Sequence, residues 1–376
     1  MLVDGSFLKA AYKGTILTAC TQDGAGKILP LAYAIVDSEN NKSGKWFFIQ
    51  LNGVFGVQEG ICIVSDRHEG ILNAIAAVYP EVPHCFCTFH LWGNISDQFK
   101  KHKDQLHDLF CVVANACTIQ KFEYFMMEIS KIDERVPGYL HEIGYERWSM
   151  LHSKVKRSMV MTLNITESLN SSNKHARDMP IMRVLEFMTN LIQQWNYHSR
   201  KKAMKSSTAL SKKFDKLIGV NLLAAQKMTV KPATDKLYTV FEGVKRNIVC
   251  LEHGICSCGR FQMDEVPCPH ALAVIKLNKL TPTDYCSFYY RRNHILETYE
   301  TPVYSIPDES TWVIPRKVLE NVVLPPKGRR NAVRLRKKRL QPSSEKAKKK
   351  RKFSKKRKFS FSVCGQDGHS RKTCGN

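Results

Sequence analysis

Three cysteines and one histidine fall within the fifteen residues 256–270. They form two pairs, Cys256 with Cys258 and Cys268 with His270, and one residue separates the members of each pair. Zn²⁺ takes four sulfur or nitrogen ligands in a tetrahedron, and a closed set of four is typical of structural sites. Residues two apart in a strand point the same way, so each pair is expected to act as a pincer. The pattern predicts a structural zinc site; the alternative is free buried cysteines beside an unrelated histidine.

The cysteines also bear on the compartment of this 376-residue chain, which has 13 of them. The opening residues MLVDGSFLKA lack the basic and apolar regions of a secretion signal. Without such a signal, clustered cysteines more often bind metal than form disulfides. No run of about 18 apolar residues predicts a membrane helix, so no membrane partner is expected.

The net charge of +24 is concentrated near the C-terminus. Lys327 to Lys358 contain 18 Lys or Arg and one acid, Glu345, so this segment alone carries +17. A block of one sign stays solvated and attracts polyanions. We expect a disordered basic tail that serves as a nuclear-import signal and a non-specific nucleic-acid contact. The alternative is a tail that only improves solubility.

The elements that must position any site follow an α/β order. TILTACT and ILPLAYAIV are predicted strands, and Pro30 suggests an edge or a bulge in the second. ICIVSD is a predicted buried strand followed by a helix, and VPHCFCTFHL is another strand running into a helix. Residues 94–160 turn helical, with a core stripe at Phe122, Phe125, Met126 and Ile129.

Three acids could hold divalent cations through carboxylate oxygens. Asp4 is expected at the end of a first strand, Asp66 follows the buried strand, and Glu167 lies in a helical stretch. Such carboxylates, if they converge at one sheet edge, suit Mg²⁺ or Mn²⁺ and in-line phosphoryl transfer. Spacing alone leaves the alternatives open that Asp66 is a helix N-cap and Glu167 a surface residue.

Four sequence blocks add a resemblance to a known family. The blocks DGSFLK, SDRHEG, HCFCTFH and TESLN, followed by CSCGRFQMDEVPCPH, resemble the catalytic domain and SWIM zinc finger of Mutator-like element (MULE) transposases. The resemblance covers roughly residues 2–285. It implies an RNase H-like DDE transposase core, with Asp4, Asp66 and Glu167 as the catalytic triad.

The resemblance also implies the organisation of the chain. The expected parts are a catalytic domain over 1–200 with a helical insertion at about 94–160, a linker over 201–235, the SWIM finger over 236–285, a Pro-punctuated connector over 286–326, the basic tail over 327–360 and a zinc knuckle over 361–376.

The C-x-x-H motif of the family falls on Cys87 and His90, with His84 ahead of it. We expect this accessory pair to shape the site or the insertion. The alternative is a satisfied core cysteine and histidine.

The implied chemistry is two-metal cleavage at terminal inverted repeats, followed by attack of the freed 3′-OH on target DNA. The expected cofactors are structural Zn²⁺ and catalytic Mg²⁺ or Mn²⁺. The expected partner is DNA, held by a homo-oligomer in the nucleus.

Two features depart from the family. Only three residues precede Asp4, so we expect a truncated first strand that frays, and a fragment, truncated gene model or decayed copy. The C-terminal CCHC knuckle keeps Cys364, His369 and Cys374 but has Phe361 in place of its first cysteine, so its zinc binding is expected to be impaired. A catalytically silent nuclear DNA-binding protein therefore stays open beside the active transposase, and an unrelated zinc protein is a third alternative.

Overall fold

A computed structural model describes residues 1–10, 13–157, 160–161, 168–169 and 174–322. These residues form two β-sheets and many helices, so the chain is a mixed α/β protein. Glu167, the basic tail and the knuckle residues Cys364, His369 and Cys374 lie outside the described residues. No helix in the described part is long and apolar enough to cross a membrane.

The first sheet comprises β1 (Leu2–Phe7), β2 (Thr15–Gln22), β3 (Ile28–Val36), β4 (Ile63–Ser65) and β5 (His84–Phe86). The spatial order is β3-β2-β1-β4-β5. β2 runs antiparallel to both β1 and β3, whereas β4 runs parallel to both β1 and β5. β1 is therefore the central strand, at the change from antiparallel to parallel pairing.

The expectation for β1 is corrected in one respect. β1 pairs with β2 through all six residues from Leu2 to Phe7, and Leu2 also pairs with Val64 of β4. Leu2 is fully buried, so the strand that we expected to fray is anchored by neighbours on both sides. Asp4 consequently lies inside β1 and not at its end.

The expectation for Pro30 is confirmed. β3 is an edge strand, and its pairing with β2 shifts register between Ala19 and Cys20, which face Ala32 and Pro30. Proline has no N–H to donate to a ladder, so an edge strand with a bulge accommodates it.

Helices cover both faces of this sheet. α1 (Asn41–Phe55) and α2 (Glu69–Val78) share a buried apolar cluster with Val3, whereas Leu2 points to the opposite face, where Leu191 of α8 (Ile181–Met204) packs against its cluster. Adjacent residues of a strand face opposite sides of a sheet, which explains this division.

A separate helical segment follows β5. It comprises α3 (Thr88–Gln98), α4 (Lys103–Ala114), α5 (Ile119–Ile132), α6 (Arg135–Ile143) and α7 (Tyr145–Trp148). Its own apolar core surrounds the fully buried Trp148, whose indole N–H donates to the carbonyl of Leu140 at 3.1 Å. The predicted stripe is confirmed, with Phe122, Met126 and Ile129 buried and Phe125 packed against them. The boundaries of the insertion stay a prediction.

The C-terminal part of the described chain contains the second sheet. This sheet consists of β6 (Thr229–Pro232), β7 (Leu237–Glu242), β8 (Lys245–Cys250) and β9 (Ile255–Cys256), in that order and all antiparallel. The helices here are α9 (Lys212–Ala225), α10 (Arg260–Asp264), α11 (Pro269–Leu277), α12 (Arg292–Thr298) and α13 (Arg316–Leu319). Short 3₁₀ helices cover Ala176–Asp178, Pro282–Tyr285, Phe288–Tyr290 and Glu309–Thr311.

The segment 201–235, predicted as a linker, is largely structured. α8 continues to Met204, and α9 buries Phe214 and Ile218 in the same core as Cys256. Apolar residues four apart share one helix face, but the surrounding lysines and serines concealed that pattern. The connector 286–326 likewise contains α12, which buries Ile295.

Candidate functional site

Asp4 and Asp66 come from the neighbouring parallel strands β1 and β4. Asp4 lies within β1 and is 9% exposed, and Asp66 directly follows β4 and is half-buried. The structure brings the two predicted acids close enough for the charge of Asp66 to act on Asp4. Their chain positions differ by 62, so β-sheet pairing accounts for the approach.

The environment of Asp4 disfavours its negative charge. Burial raises its pKa to about 6, the charges of Asp66 and Glu39 add to the rise, and His90 opposes it. Like charges in a poorly solvated site raise a carboxyl pKa because neither is screened by water. A cation bound at this edge would relieve that repulsion.

The loop after β4 fixes Asp66. Oδ1 of Asp66 accepts the backbone N–H of His68 at 3.1 Å, and the Ser65 hydroxyl donates to the carbonyl of Asp66 at 2.6 Å. His68 is the N-cap of α2, and its Nδ1 accepts from Gly70 at 3.3 Å. The alternative that Asp66 is itself the N-cap of this helix is therefore wrong.

His84 supports the same loop from β5. Its Nε2 lies 2.8 Å from the Ser65 hydroxyl. Burial, followed by the charge of Arg147, lowers the pKa of His84 to about 4. A neutral imidazole at this position holds Ser65 without adding charge beside the acids.

Glu39, which the sequence interpretation missed, joins the two aspartates. It lies between β3 and α1, its side chain is 13% exposed, and its Oε1 is buried without a hydrogen-bond partner. A Cβ at residue 5 would lie 2.6 Å from Oε2 of Glu39, so Gly5 leaves the space that this carboxylate fills. Burial, and then the charge of Asp66, raises the pKa of Glu39, whereas His68 at 3.7 Å lowers it.

The signal that could have identified Glu39 is its placement in the short segment between a strand and a helix, three residues after β3. Carboxylate oxygens are ligands that Mg²⁺ and Mn²⁺ prefer, but among the described residues only the cysteine–histidine cluster has its ligand atoms within 4.8 Å of one another. A nearby positive charge would lower the raised pKa of Asp4 and would stabilise the buried Oε1 of Glu39, which accepts no hydrogen bond.

Cys87 and His90 lie at the start of α3, on the same side as the acids. Cys87 is the N-cap position of α3 and is buried. A hydrogen bond with Cys87 raises the pKa of His90 to about 9 against the effect of burial, and the charges of Asp4 and Asp66 contribute to the rise. The geometry thus connects this pair to the acidic site; its role stays a prediction.

The third acid of the predicted triad, Glu167, lies outside the described residues. Leu169 is described and is fully buried in the cluster that contains Leu2, Val64 and Cys87. The chain therefore meets the first sheet two residues beyond Glu167.

The cysteine–histidine cluster forms a compact donor set. One ligand atom from each of Cys256, Cys258, Cys268 and His270 lies within 4.8 Å of all the others. Nδ1 of His270 is 3.7 Å from Sγ of Cys256 and 3.8 Å from Sγ of Cys268. A tetrahedral zinc with Zn–S of ~2.3 Å and Zn–N of ~2.0 Å separates sulfur from nitrogen by roughly 3.5 Å. Three sulfurs and one imidazole at these separations fit zinc.

The predicted strand pincers are only partly correct. Cys256 ends β9, but Cys258 lies in the turn that follows. Cys268 is the N-cap of α11, with Sγ accepting from the N–H of Ala271 at 3.5 Å, and His270 lies in the first turn of that helix. Pro269 at N1 starts the helix immediately, so the second pair is presented by a helix end and not by a strand.

The cluster strongly perturbs its own protonation. Hydrogen bonds from Cys256 and Cys268 lower the pKa of Cys258, and the pKa of Cys256 is raised by its bond with Cys258. Burial alone would lower the pKa of His270, but hydrogen bonds to Cys258 and Cys268 raise it to about 10. The negative charge favoured on the sulfur of Cys258 therefore lies beside the proton favoured on His270, and a bound metal would displace that proton.

Groups behind His270 orient its ring. The side-chain amide of Asn247 lies 3.0 Å from Nε2, and Oε2 of Glu242 lies 3.6 Å from the same nitrogen. Nδ1 therefore faces the sulfurs while Nε2 faces polar groups on β7 and β8. Outer partners of this kind fix the tautomer of a metal-binding histidine.

Two family models match the segments that contain the two candidate sites. Residues 1–94 match the MULE transposase domain, which includes Asp4, Asp66, Cys87 and His90. Residues 254–278 match the SWIM zinc finger, which includes all four residues of the cysteine–histidine cluster.

The chain is also similar to the transposase for insertion sequence element IS905 of Lactococcus lactis subsp. lactis (strain IL1403). The two are 22% identical over 230 residues, which cover 54% of this chain and 56% of that relative. The chain thus spans about half the length of the curated relative. Together these matches confirm the resemblance seen in the motifs: the chain carries a MULE transposase domain and a SWIM zinc finger.

Proposed function

We propose that this chain is a Mutator-like DDE transposase with an RNase H-like core. The proposal includes two-metal phosphodiester cleavage at terminal inverted repeats and transfer of the freed 3′-OH to target DNA. The observation that carries it is the meeting of Asp4 and Asp66 at one edge of the first sheet, inside the segment that matches the MULE domain. The sheet order β3-β2-β1-β4-β5, with β1 central, supports the proposed core.

Asp4, Asp66 and Glu167 would hold the divalent ions. The burial of Leu169 beside Leu2 and Val64 supports Glu167 as the third ligand. When bound, Mg²⁺ or Mn²⁺ supplies an activated water and stabilises charge on the attacking and leaving oxygens. Asp4 must lose its proton to act as a ligand, and Glu39 adds a fourth carboxylate to the same edge.

His90 and Cys87 position the acidic edge in this proposal. The positive charge favoured on His90 balances part of the negative charge of Asp4 and Asp66. The pair thereby limits repulsion between the carboxylates while the site is without cations.

The SWIM finger would be structural, with one zinc bound by Cys256, Cys258, Cys268 and His270. In the proposal, this module and the basic tail hold DNA chiefly through phosphate contacts. A nuclear location and assembly of copies on DNA complete the proposal.

The test is Mn²⁺-dependent nicking of a supercoiled plasmid that carries the inverted repeats flanking the coding sequence. The parent chain is expected to nick, and Asp66→Asn to lose at least two orders of magnitude in rate, because it removes a metal ligand. Asp104→Asn, an exposed acid on α4, is the matched control and should nick like the parent. Equal nicking by Asp66→Asn would refute the assignment, and a parent chain without nicking activity would favour the silent DNA-binding protein.

A further inference from the structure

A cavity with a strongly basic lining lies away from the acidic site of β1 and β4 and from the cysteine–histidine cluster. It has a volume of about 210 Å³ and lies where the β2–β3 turn meets the end of α8, the start of α9 and α12. Five cationic side chains and one carboxylate line it: Lys27, Lys202, Lys212, Lys213, Arg292 and Asp23. Its formal charge is therefore +4.

The only carboxylate in this lining is already engaged. Oδ1 of Asp23 accepts the backbone N–H groups of Ala25 at 2.9 Å and Lys27 at 2.7 Å. Oδ2 of Asp23 accepts the hydroxyl of Tyr299 at 2.8 Å. Asp23 thus holds the turn and anchors the segment after α12, and the lining as a whole keeps a formal charge of +4.

The turn brings two of the lysines into the cavity. Gly26 has φ +72°, a backbone conformation that favours glycine, and Nζ of Lys213 lies 2.7 Å from the position that a Cβ would take. Nζ of Lys27 donates to the hydroxyl of the buried Ser199 at 3.0 Å. Burial lowers the pKa of both lysines, and Lys202 lowers that of Lys27 further.

The start of α9 adds backbone charge of the same sign. Ser211 is the N-cap residue, but its side chain does not cap the helix; its hydroxyl donates instead to the carbonyl of Gly24 at 3.2 Å. The 14-residue helix directs the positive end of its dipole at the cavity, which Ser211, Lys212 and Lys213 line. Helix N-termini with adjacent cations favour phosphate oxygens.

We infer that this cavity binds a phosphate group, and that the phosphate belongs to the backbone of DNA. The DNA assignment rests on the proposed function; the phosphate chemistry rests on the cavity. Asp4 pairs with Thr18 of β2, and Asp23 lies five residues further along, roughly 17 Å at ~3.4 Å per residue. The cavity thus contacts DNA outside the acidic edge and resists its movement during cleavage.

The inference also explains the basic, serine-rich stretch at Arg200 to Lys213. The end of α8 and the start of α9 place these charges around the cavity. They therefore form a defined binding surface and not a solvated linker. Arg292 is fixed there as well, because its guanidinium donates to the carbonyls of Ala203 and Met204 at 3.0 and 3.3 Å.

The test uses the full chain and a double-stranded DNA of random sequence. The exposed pair Lys202→Gln and Lys212→Gln is combined in one variant, and Lys100→Gln with Lys101→Gln, exposed between α3 and α4, is the matched control. Affinity is measured by fluorescence anisotropy from 50 to 300 mM salt. Loss of this phosphate contact should reduce the slope of log affinity against log salt by about 0.9, whereas the control should match the parent.

A second arm titrates inorganic phosphate into the parent and the cavity variant, with binding read as a rise in Tm. The inference expects phosphate to stabilise the parent more than the cavity variant. An unchanged salt slope together with equal phosphate stabilisation of the parent and the cavity variant overturns the inference, and so does an equal fall in the slope of the control. Phosphate stabilisation without a change in slope overturns the DNA assignment.

Nicking is read separately from these measurements. If Asp66→Asn nicks normally while the cavity variant shows the reduced slope of log affinity against log salt, the proposed transposase chemistry is refuted and the phosphate site is supported. If Asp66→Asn loses nicking activity while the cavity variant keeps the slope of the parent and its stabilisation by phosphate, only the phosphate site is refuted.

Discussion

At the scale of residues, both candidate sites contain groups whose protonation is shifted by burial and by their neighbours. Asp4 and Glu39 are carboxyls whose pKa values are raised by burial and by the charge of Asp66. Cys256 and Cys258 share protons in an apolar core. Burial of such groups is costly unless they are paired or bind metal, which is why these two clusters stand out from the rest of the described chain.

The first prediction concerns stability without added divalent ions. The pKa of Asp4 is about 6 in the folded protein, above its ordinary value of 3.8, so the folded state holds a proton that the unfolded chain releases. This contribution to stability is complete below pH 3.8 and is lost as the pH rises through 6. Asp4→Asn should therefore increase the free energy of unfolding at pH 7.5 by on the order of 1–3 kcal/mol, and much less at pH 4.

Urea unfolding at both pH values measures this difference. Asp104→Asn is the control, since that acid is exposed on α4. An Asp4→Asn variant that is less stable than the parent at pH 7.5 would contradict the assigned repulsion.

The second prediction concerns the ring orientation of His270. Removing the amide in Asn247→Ala leaves Nε2 without its 3.0 Å neighbour, so zinc affinity should fall about 10-fold or more. Competition with a coloured zinc chelator measures the affinity. Asn321→Ala, exposed near the end of the described residues, is the control. Equal affinity in both variants would show that Asn247 does not orient the ligand.

At the scale of elements, local patterns predicted most strands and helices. The predicted strands TILTACT and ILPLAYAIV and the helical stripe at Phe122, Met126 and Ile129 correspond to elements in the structure. The strand assigned to the second metal pincer was incorrect, because Pro269 starts a helix between Cys268 and His270, whereas Cys256 of the first pair does lie in a strand. α9 was missed because the serines before it and the lysines at its start concealed its apolar face in the sequence.

The candidate sites differed in how far sequence could specify them. The four zinc ligands lie within fifteen residues, so spacing alone identified them. Glu39 could not be linked to Asp4 or Asp66, since its approach depends on the turn between β3 and α1 and on the missing side chain of Gly5. The phosphate cavity likewise needs the β2–β3 turn to meet three helix ends.

The third prediction concerns the elements that zinc stabilises. Purified protein should contain one zinc per chain, and Cys258→Ser should lose it. Cys256 and Cys268 belong to the same core as α9, β7, β8 and α11, so zinc loss should expose these elements to hydrogen exchange. β1 and β2 have a separate core and should remain protected. Protein without zinc, or uniform loss of protection, would contradict this separation.

At the scale of the whole molecule, positive charge is concentrated in two places along the sequence. The segment Lys327 to Lys358 carries +17 of the net +24. The basic cavity adds an ordered cluster of +4. The proposed division is that the tail supplies non-specific attraction, while the cavity fixes the position of the duplex.

The fourth prediction tests that division. Deleting residues 327–358 should weaken DNA binding and flatten its salt dependence, with a loss of about 0.9 in slope for each phosphate contact removed. The deletion and the Lys202→Gln, Lys212→Gln variant should have additive effects on slope because they act on separate contacts. Anisotropy titrations across salt concentrations measure both. An unchanged slope after deletion would mean that the tail does not contact DNA.

The central claim is that Asp4, Asp66 and Glu167 bind divalent ions together. Anomalous diffraction from crystals soaked in Mn²⁺ measures it most directly. The account predicts a peak at about 2.0–2.3 Å from carboxylate oxygens of both Asp4 and Asp66, with Glu167 at the same sheet edge. Manganese bound elsewhere, or Glu167 on a different face of the sheet, would contradict it.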